Sequence, residues 1–340
     1  MAVLITGGAG FIGSHAAVEF LNKGYELVIL DNFSNSKPCV LDRIRTITGK
    51  NFRFYKIDLL DKAALDQMFD ECPDIDSCIH FAGLKAVGES VRKPLEYYHN
   101  NLTGTVNLCN SMKEHNVKTL VFSSSATVYG DPATVPIRED FPTGNTTNPY
   151  GETKHMIERI LKDLQFAEKD WSISILRYFN PIGAHESGLI GEDPNGIPNN
   201  LLPYITQVAS GKREYLHVYG DDYPTHDGTG VRDYIHVVDL ARAHLSALEL
   251  AYKQQGIEYF NIGTGNGYSV LDVVHAFESV TGKPLPYRIE ARRPGDIATC
   301  YADPAKAQRM LGWKAEYDMT RMCQDAYRWQ SMNPNGYGDE

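Results

Sequence analysis

The sequence predicts an α/β fold: a doubly wound parallel sheet with a smaller C-terminal α/β region. Three observations predict it. A short apolar run, Ala2 to Ile5, leads into a glycine-rich turn, Thr6 to Gly13, and then into an amphipathic helix reaching about Lys23. Strand-length apolar runs then alternate with segments of helical period as far as Leu176, the rhythm of βαβ units. Finally, Gly, Pro and Asn become frequent from Gly183 to Asn200 and the strands shorten, which marks entry into a region of long loops. The first part is therefore Rossmann-like. It is expected to span 1–180 plus about 236–263, and the second region about 181–235 plus 264–340.

Each element follows in order. The glycines fit two spacings, Gly7-x2-Gly10-x2-Gly13 and Gly8-x-Gly10-x2-Gly13. Either supplies a tight turn, a close backbone approach to a pyrophosphate and close helix–strand packing. The motif carries weight because a strand precedes it and a helix follows. Glu26 to Leu30 is the second strand, with Asp31 at its end. A carboxylate there accepts from adenosine ribose hydroxyls and repels a 2′-phosphate, so NAD is expected over NADP; the plain alternative is a turn residue. Further units follow: strand Phe52 to Lys56, Asp58, helix 61–72 and strand Asp76 to Phe81. Asp58 could contact the adenine or cap a helix. The small residues Ala82 and Gly83 would let the backbone approach a cofactor, and Lys85 could reach a phosphate or ribose. Residues 88–115 read as helix interrupted near Pro94, followed by strand Thr119 to Phe122.

That strand leads to Ser125, at the end where α/β sheets carry ligands. Helix Tyr150 to about Glu168 comes next, then strand Ser172 to Leu176. Tyr150 and Lys154, four apart, share a helix face. A nearby cation favours phenolate over phenol. Bringing a phenol from about pH 10 to neutrality takes roughly 4 kcal/mol, and the phenolate can then take a proton from an alcohol. The plain alternative is an exposed Tyr and an exposed Lys. Later elements are helix His236 to Tyr252, strand Glu258 to Ile262 returning to the first sheet, and helices 269–282, 303–311 and 318–331. The turn-rich tail from Asn333 to Gly338 is expected to fray.

Composition narrows the class. Net charge is −10 with no basic run, which argues against nucleic acid. The six cysteines show no CxxC pair and no disulfide-framework spacing, as in a reducing cytoplasm. Met1 to Ile5 is too short for a signal peptide, and no apolar stretch is long enough to span a bilayer. Nothing in the pattern calls for a metal.

Together, Thr6 to Gly13, Asp31, Ser125 and Tyr150-x3-Lys154 resemble the extended short-chain dehydrogenase/reductase family. Five further runs bring the chain nearest to members that invert C4 of a UDP-hexose: Phe81 to Ser90, Ser123 to Gly130, Arg177 to Pro181, Gly196 to Leu201 and Gly228 to His236. The resemblance runs nearly end to end in one register. It implies that Tyr150 removes the 4-hydroxyl proton, that Ser125 hydrogen-bonds the same oxygen, and that Lys154 holds the nicotinamide ribose and keeps Tyr150 acidic. NAD would stay tightly bound and be regenerated each cycle, the cofactor supplying the hydride chemistry. For cofactor binding the resemblance implies Gly7, Gly10, Phe11, Ile12, Gly13, Asp31, Asn32, Asn35, Ser36, Asp58 and Leu59, with Phe81, Ala82, Gly83, Lys85, Asn100, Ser125, Tyr150, Lys154 and Phe179. For the UDP-sugar it implies Lys85, Ser125, Tyr150, Asn180, Asn200 and Leu201, and His217 and Tyr219 against uracil and ribose. It also implies Arg232 and Arg293 on the diphosphate and Asp296 on the uridine ribose; a guanidinium fork suits phosphate oxygens. The family pairs as homodimers through helices here near 88–115 and 150–168.

Three rival readings lack residues they would need or leave residues unexplained. A sugar-nucleotide 4,6-dehydratase needs an acidic pair after the Ser or Thr strand end, where this chain has Ala126 and Thr127. A UDP-glucuronate enzyme would need an added cation for a C6 carboxylate, and none is evident. A non-catalytic NAD sensor would not need Ser125, Tyr150 and Lys154. One position refines the substrate. In the family, the residue five beyond the glycine of Pro294-Gly295-Asp296 gates the pocket beside the sugar C2, and a Tyr there restricts entry to plain hexoses. This chain has Cys300, which is expected to admit the 2-acetamido sugars as well.

Overall fold

The structure, a computed structural model, describes residues 1–194, 198, 200–293 and 295–338. The first half alternates without break: β1 (Ala2–Thr6), α1 (Phe11–Lys23), β2 (Glu26–Asp31), α2 (Cys39–Thr48), β3 (Arg53–Lys56), α3 (Lys62–Glu71), β4 (Ile75–His80). Next come α4 (Val87–Arg92), α5 (Pro94–Tyr98), a π turn (His99–Thr103) and α6 (Gly104–Glu114). They are followed by β5 (Thr119–Ser125), α7 (Pro149–Ala167) and β6 (Ser172–Tyr178). The second half is more irregular: β7 (Asn180–Ile182), α8 (Leu201–Ala209), β8 (Leu216–Tyr219), β9 (Val231–Arg232), β10 (Tyr234–His236), α9 (Val237–Ala251), β11 (Gly256–Ile262). It ends with β12 (Tyr268–Ser269), α10 (Val270–Thr281), β13 (Tyr287–Glu290), β14 (Thr299–Cys300), α11 (Ala305–Leu311) and α12 (Met319–Met332).

Seven strands make one parallel sheet in the order β11-β6-β5-β4-β1-β2-β3. The order reverses between β1 and β4, and such a switch point opens a crevice at the strands' carboxyl ends. β1 is buried along its whole length, so it reads as a continuous apolar run rather than an alternating one. Alternation survives inside it. Val3 and Ile5 pack with Phe20 of α1 and Leu240 of α9, while Ala2 and Leu4 pack with Phe69 of α3 and Leu161 of α7. β11 returns to the sheet edge beside β6, as expected. A third core joins α8, β8, α10 and α12 through Ile205, Val218, Phe277 and Met322. Among the described residues, no helix is long and apolar enough to cross a membrane.

One expectation needs correction and two are refined. The helix over 88–115 is interrupted at Lys93–Pro94, as expected, and a π turn adds a second irregularity that was not expected. Proline removes a helical N–H, and π turns favour functional places. Asp58 does not cap α3; Asp61 does, accepting from Ala64 N at 3.1 Å. The tail is not frayed. Tyr337 packs against the Trp329 ring at 4.6 Å under the Arg43 guanidinium, and its hydroxyl bridges the backbone N–H and carbonyl of Gly191.

Behind the end of β5 lies a buried ionic network. Arg177 on β6 donates to Glu158 on α7 through Nη2 at 2.7 Å and Nε at 3.0 Å. Ser124 Oγ donates to the same carboxylate at 2.6 Å, and Arg177 Nη1 donates to the Tyr129 hydroxyl at 2.9 Å. Both charged side chains are nearly inaccessible, at 6% and 5% exposure. Such a pair fixes α7 against β5 and β6, because breaking one side strands the other charge in the interior. Glu158→Ala should therefore lower unfolding stability by about 3–5 kcal/mol, read as a shifted midpoint in urea; an unchanged midpoint would contradict this account of the network.

Candidate active site

The turn after β1 has room for backbone and little else. Gly7 takes a left-handed φ of 69°, and a Cβ on Gly13 would lie 2.2 Å from the Gly7 carbonyl oxygen. No Cβ fits at Gly13 between the turn and α1, and no side chain caps the helix, so the first-turn N–H groups of α1 stand at a positive helix end without a side-chain partner at the cap. That is what a dinucleotide pyrophosphate needs. Asp31 lies against this turn at the end of β2. Its Oδ2 accepts from Ala9 N at 3.0 Å, and its Oδ1 accepts from Phe33 N at 2.9 Å and Ser36 Oγ at 2.8 Å. Asn32 donates to Asp58 at 3.0 Å, which sets the Asp58 carboxylate beside the same loop. The residues present fit NAD: a glycine cradle at a helix end and a carboxylate where a 2′-phosphate would be repelled.

The reacting end is built by β5, α7 and β6. Ser125 ends β5, and its direct partner across the parallel ladder is Tyr178, the last residue of β6. Thr127 Oγ1 donates to Ser125 Oγ at 3.0 Å. Asn148 caps α7 by accepting from Gly151 N at 2.9 Å, and this starts the helix one residue before Tyr150. Tyr150 and Lys154 do share a helix face, but neither is exposed: both are 6% accessible. The Lys154 ammonium donates to the Ser123 carbonyl at 2.7 Å, 6.0 Å from the Tyr150 ring centre.

This burial changes the electrostatics expected from spacing alone. In the chain by itself the Tyr150 phenol is pushed up from its usual range, because desolvation disfavours phenolate. The hydroxyls of Ser125 and Tyr178 beside it pull the other way without winning. Lys154 is lowered to about 8 by burial, with Glu158 opposing. The expected acidification of Tyr150 is thus absent from the chain alone. The lysine is held on a backbone carbonyl, and desolvation is the larger effect.

The nucleotide side gathers residues far apart in sequence. Arg293 lies over the Tyr219 ring at 4.9 Å and donates to Asp296 at 2.9 Å. His217 stacks beside Tyr219 at 6.1 Å. Arg232 and Arg293 both act on the buried Tyr234 hydroxyl, lowering it against a desolvation that brings it to about 12. Tyr219 and Asp296 thus meet at Arg293, while the charges of both arginines reach Tyr234. β14 pairs with β9 in a register that sets Cys300 opposite Arg232. Cys300 packs against a core cluster that contains Ala126 and Phe179, beside the end of β5. Its thiol is pushed up to about 11 by burial, which suits a wall and not a nucleophile. Asn180 opens β7, and Asn200 and Leu201 stand at the start of α8. Gly196, Ile197, Asn199 and Pro294 lie outside the described residues.

Several contributors escaped the sequence reading. Tyr178 lies inside the Arg177 to Pro181 run, and its pairing with Ser125 across the ladder, which no local pattern announces, brings it to the site. Asn101, beside the assigned Asn100, holds Leu84 through both its N–H and its carbonyl and also donates to Thr153. It fastens the loop after β4 to α7. Glu192 carries no pattern at all, yet it accepts from Lys85 at 3.4 Å and Asn200 at 2.7 Å.

Comparison with known proteins gives consistent findings. The model of the NAD dependent epimerase/dehydratase family matches residues 3–263. A UDP-glucose 4-epimerase of Bacillus subtilis (strain 168) is 64% identical over 337 residues, 99% of each chain. Among solved structures, a UDP-glucose 4-epimerase from Bifidobacterium longum in complex with NAD+ and UDP superposes with TM-score 0.96 at 56% identity. It covers 99% of this chain and 100% of that one. One from Stenotrophomonas maltophila, with bound NAD and formylated UDP-arabinopyranose, gives TM-score 0.96 at 49% identity over 98% and 99%.

Proposed function

The chain belongs to the NAD dependent epimerase/dehydratase family, and on that premise we propose a C4 epimerase that takes both plain and 2-acetamido UDP-hexoses. It interconverts UDP-glucose and UDP-galactose with NAD as cofactor. One observation carries the chemistry: Tyr150, flanked by Ser125 and Tyr178 and backed by Lys154, sits at the carboxyl end of β5.

The roles follow from that geometry. Tyr150 takes the proton of the sugar 4-hydroxyl as general base and returns it after inversion. Ser125 holds the same oxygen, its own oxygen already oriented by Thr127. Lys154 holds the nicotinamide ribose and contributes positive charge that opposes the desolvation of Tyr150. When bound, NAD supplies an acceptor and then a donor for the C4 hydride. The 4-keto sugar turns over within the pocket between these events. Asn180, Asn200 and Leu201 hold the sugar nucleotide, His217 and Tyr219 face uracil and ribose, and Arg232, Arg293 and Asp296 take the diphosphate and uridine ribose. Asn32, Asn35, Ser36, Asp58, Leu59, Lys85, Asn100 and Phe179 complete the cofactor side.

Residues 1–180 with about 236–263 form the NAD-binding part in this reading, and 181–235 with 264–340 the UDP-sugar part. The protein works in the cytoplasm as a homodimer. Support for the pairing comes from α4, α5 and α7, which present Val91, Leu95 and Phe166 at 61%, 81% and 76% exposure, an apolar face a second copy would cover.

Cys300 sets the sugar range. A thiol packed against the cluster that contains Ala126 and Phe179 leaves space next to the sugar C2 that an aromatic ring would fill, and close-packed walls give way poorly. The purified enzyme should interconvert UDP-glucose with UDP-galactose and UDP-N-acetylglucosamine with UDP-N-acetylgalactosamine, both without added NAD. Cys300→Tyr should abolish the second activity and spare the first. Wild type that rejects the acetamido pair, or a Tyr variant that still turns it over, would contradict the gate. Tyr150→Phe should retain NAD and UDP and lose kcat by about 10²–10⁴-fold; turnover near wild type would remove Tyr150 from the base role.

A further inference from the structure

Glu192 lies between β7 and α8 with its side chain 8% exposed. A single oxygen, Oε1, accepts from Asn200 Nδ2 at 2.7 Å and from Lys85 Nζ at 3.4 Å. The two donors come from distant segments, one from the loop after β4 and one from the start of α8. Asn200 is the N-cap residue of α8, yet its side chain makes no capping hydrogen bond. Asparagine is favoured at that position because its oxygen can take an orphan helix N–H. Here the amide is turned to Glu192 instead, and the helix start goes without its side-chain cap.

Glu192 is held from behind. Trp329 Nε1 donates to its carbonyl at 3.3 Å. Tyr337 fixes both neighbours: its hydroxyl joins the backbone of Gly191, and its N–H donates to Asp193 Oδ2 at 2.9 Å. The ordered tail thus makes Glu192 the stationary partner. Lys85 is the movable one: it is 47% exposed, and a long pair at such exposure is weak enough to yield to a phosphate. The bond to Asn200 is shorter and charge-assisted, so it is the stronger of the two and persists.

We propose that Glu192 is a positioning residue for the UDP-sugar: it aims the Asn200 amide at the sugar nucleotide and keeps Lys85 at the same point. The proposal rests on the assignment of Asn200 and Lys85 to ligand binding made above. It acts on ground-state binding, so it predicts a change in KM and not in kcat.

The test is steady-state kinetics on UDP-galactose with the NAD-loaded enzyme, comparing Glu192→Ala, Glu192→Gln, Asn200→Ala and the double variant Glu192→Ala/Asn200→Ala. Both single Ala variants should raise KM about tenfold, the size of one lost charge-assisted hydrogen bond, with kcat within about threefold. The double variant should be no worse than the poorer single one, since the two residues act as one unit. Glu192→Gln, whose amide oxygen still accepts from Asn200, should recover most of the KM. If Asn200→Ala keeps the wild-type KM, the Asn200 assignment fails and the proposal with it. If Asn200→Ala raises KM and Glu192→Ala does not, the Glu192 proposal alone fails. Additive losses, or a fall in kcat at unchanged KM, would also overturn it. Should Glu192→Ala not fold, Glu192→Asp decides in the same way, because it keeps the charge and withdraws it from Asn200.

Discussion

Desolvation of one phenol and one ammonium at the end of β5 is the constraint on which the rest of this structure depends. Water would stabilise both charges, and the fold removes it: Tyr150 and Lys154 are each 6% accessible. Burial disfavours the charged form of each group, so the chain alone holds Tyr150 high and Lys154 at about 8. A phenol held this way is a poor base until positive charge is brought to it. The surrounding residues answer that need in layers. Glu158 favours the charged form of Lys154, Arg177 holds Glu158, and Ser125 and Tyr178 stabilise the phenolate.

The second requirement is that two anionic ligands meet in one crevice of a protein with net charge −10. The chain meets it locally. The glycine turn offers helix N–H groups and no side chain, and Arg232 and Arg293 converge on the nucleotide side around Tyr219 and Tyr234. The carboxylates near these places are occupied by protein donors: Asp31 by two N–H groups and a hydroxyl, Asp296 by Arg293, Glu192 by Asn200 and Lys85. Paired in this way, they orient neighbours more than they repel phosphate.

Much of this was legible in the sequence because local patterns encode it. The glycine turn, Asp31, Ser125 and the Tyr150–Lys154 spacing are short-range features tied to one strand end or one helix face, and the structure places them there. The βαβ rhythm carried the seven-stranded sheet, including the return of β11. What stayed hidden depends on contacts between distant segments. The π turn at His99–Thr103 has no period of its own. Tyr337 looked like the end of a loose, turn-rich tail because its partners, Gly191, Asp193 and Trp329, lie elsewhere in the chain. Glu192 has no motif, and its meaning comes only from Lys85 and Asn200 meeting there. The direction of the Tyr150 shift was also hidden, since spacing shows which cation is near but not how dry the phenol is.

The account's central claim is that positive charge must overcome the desolvation of Tyr150 in the loaded enzyme. The direct measurement is a spectrophotometric titration of tyrosinate in the NAD-loaded protein, taken as the difference between wild type and Tyr150→Phe. The account predicts a difference signal that titrates well below the ordinary phenol value of about 10 and moves upward in Lys154→Met. A Tyr150 that titrates above about 10 in the loaded enzyme, or one indifferent to Lys154, would contradict it.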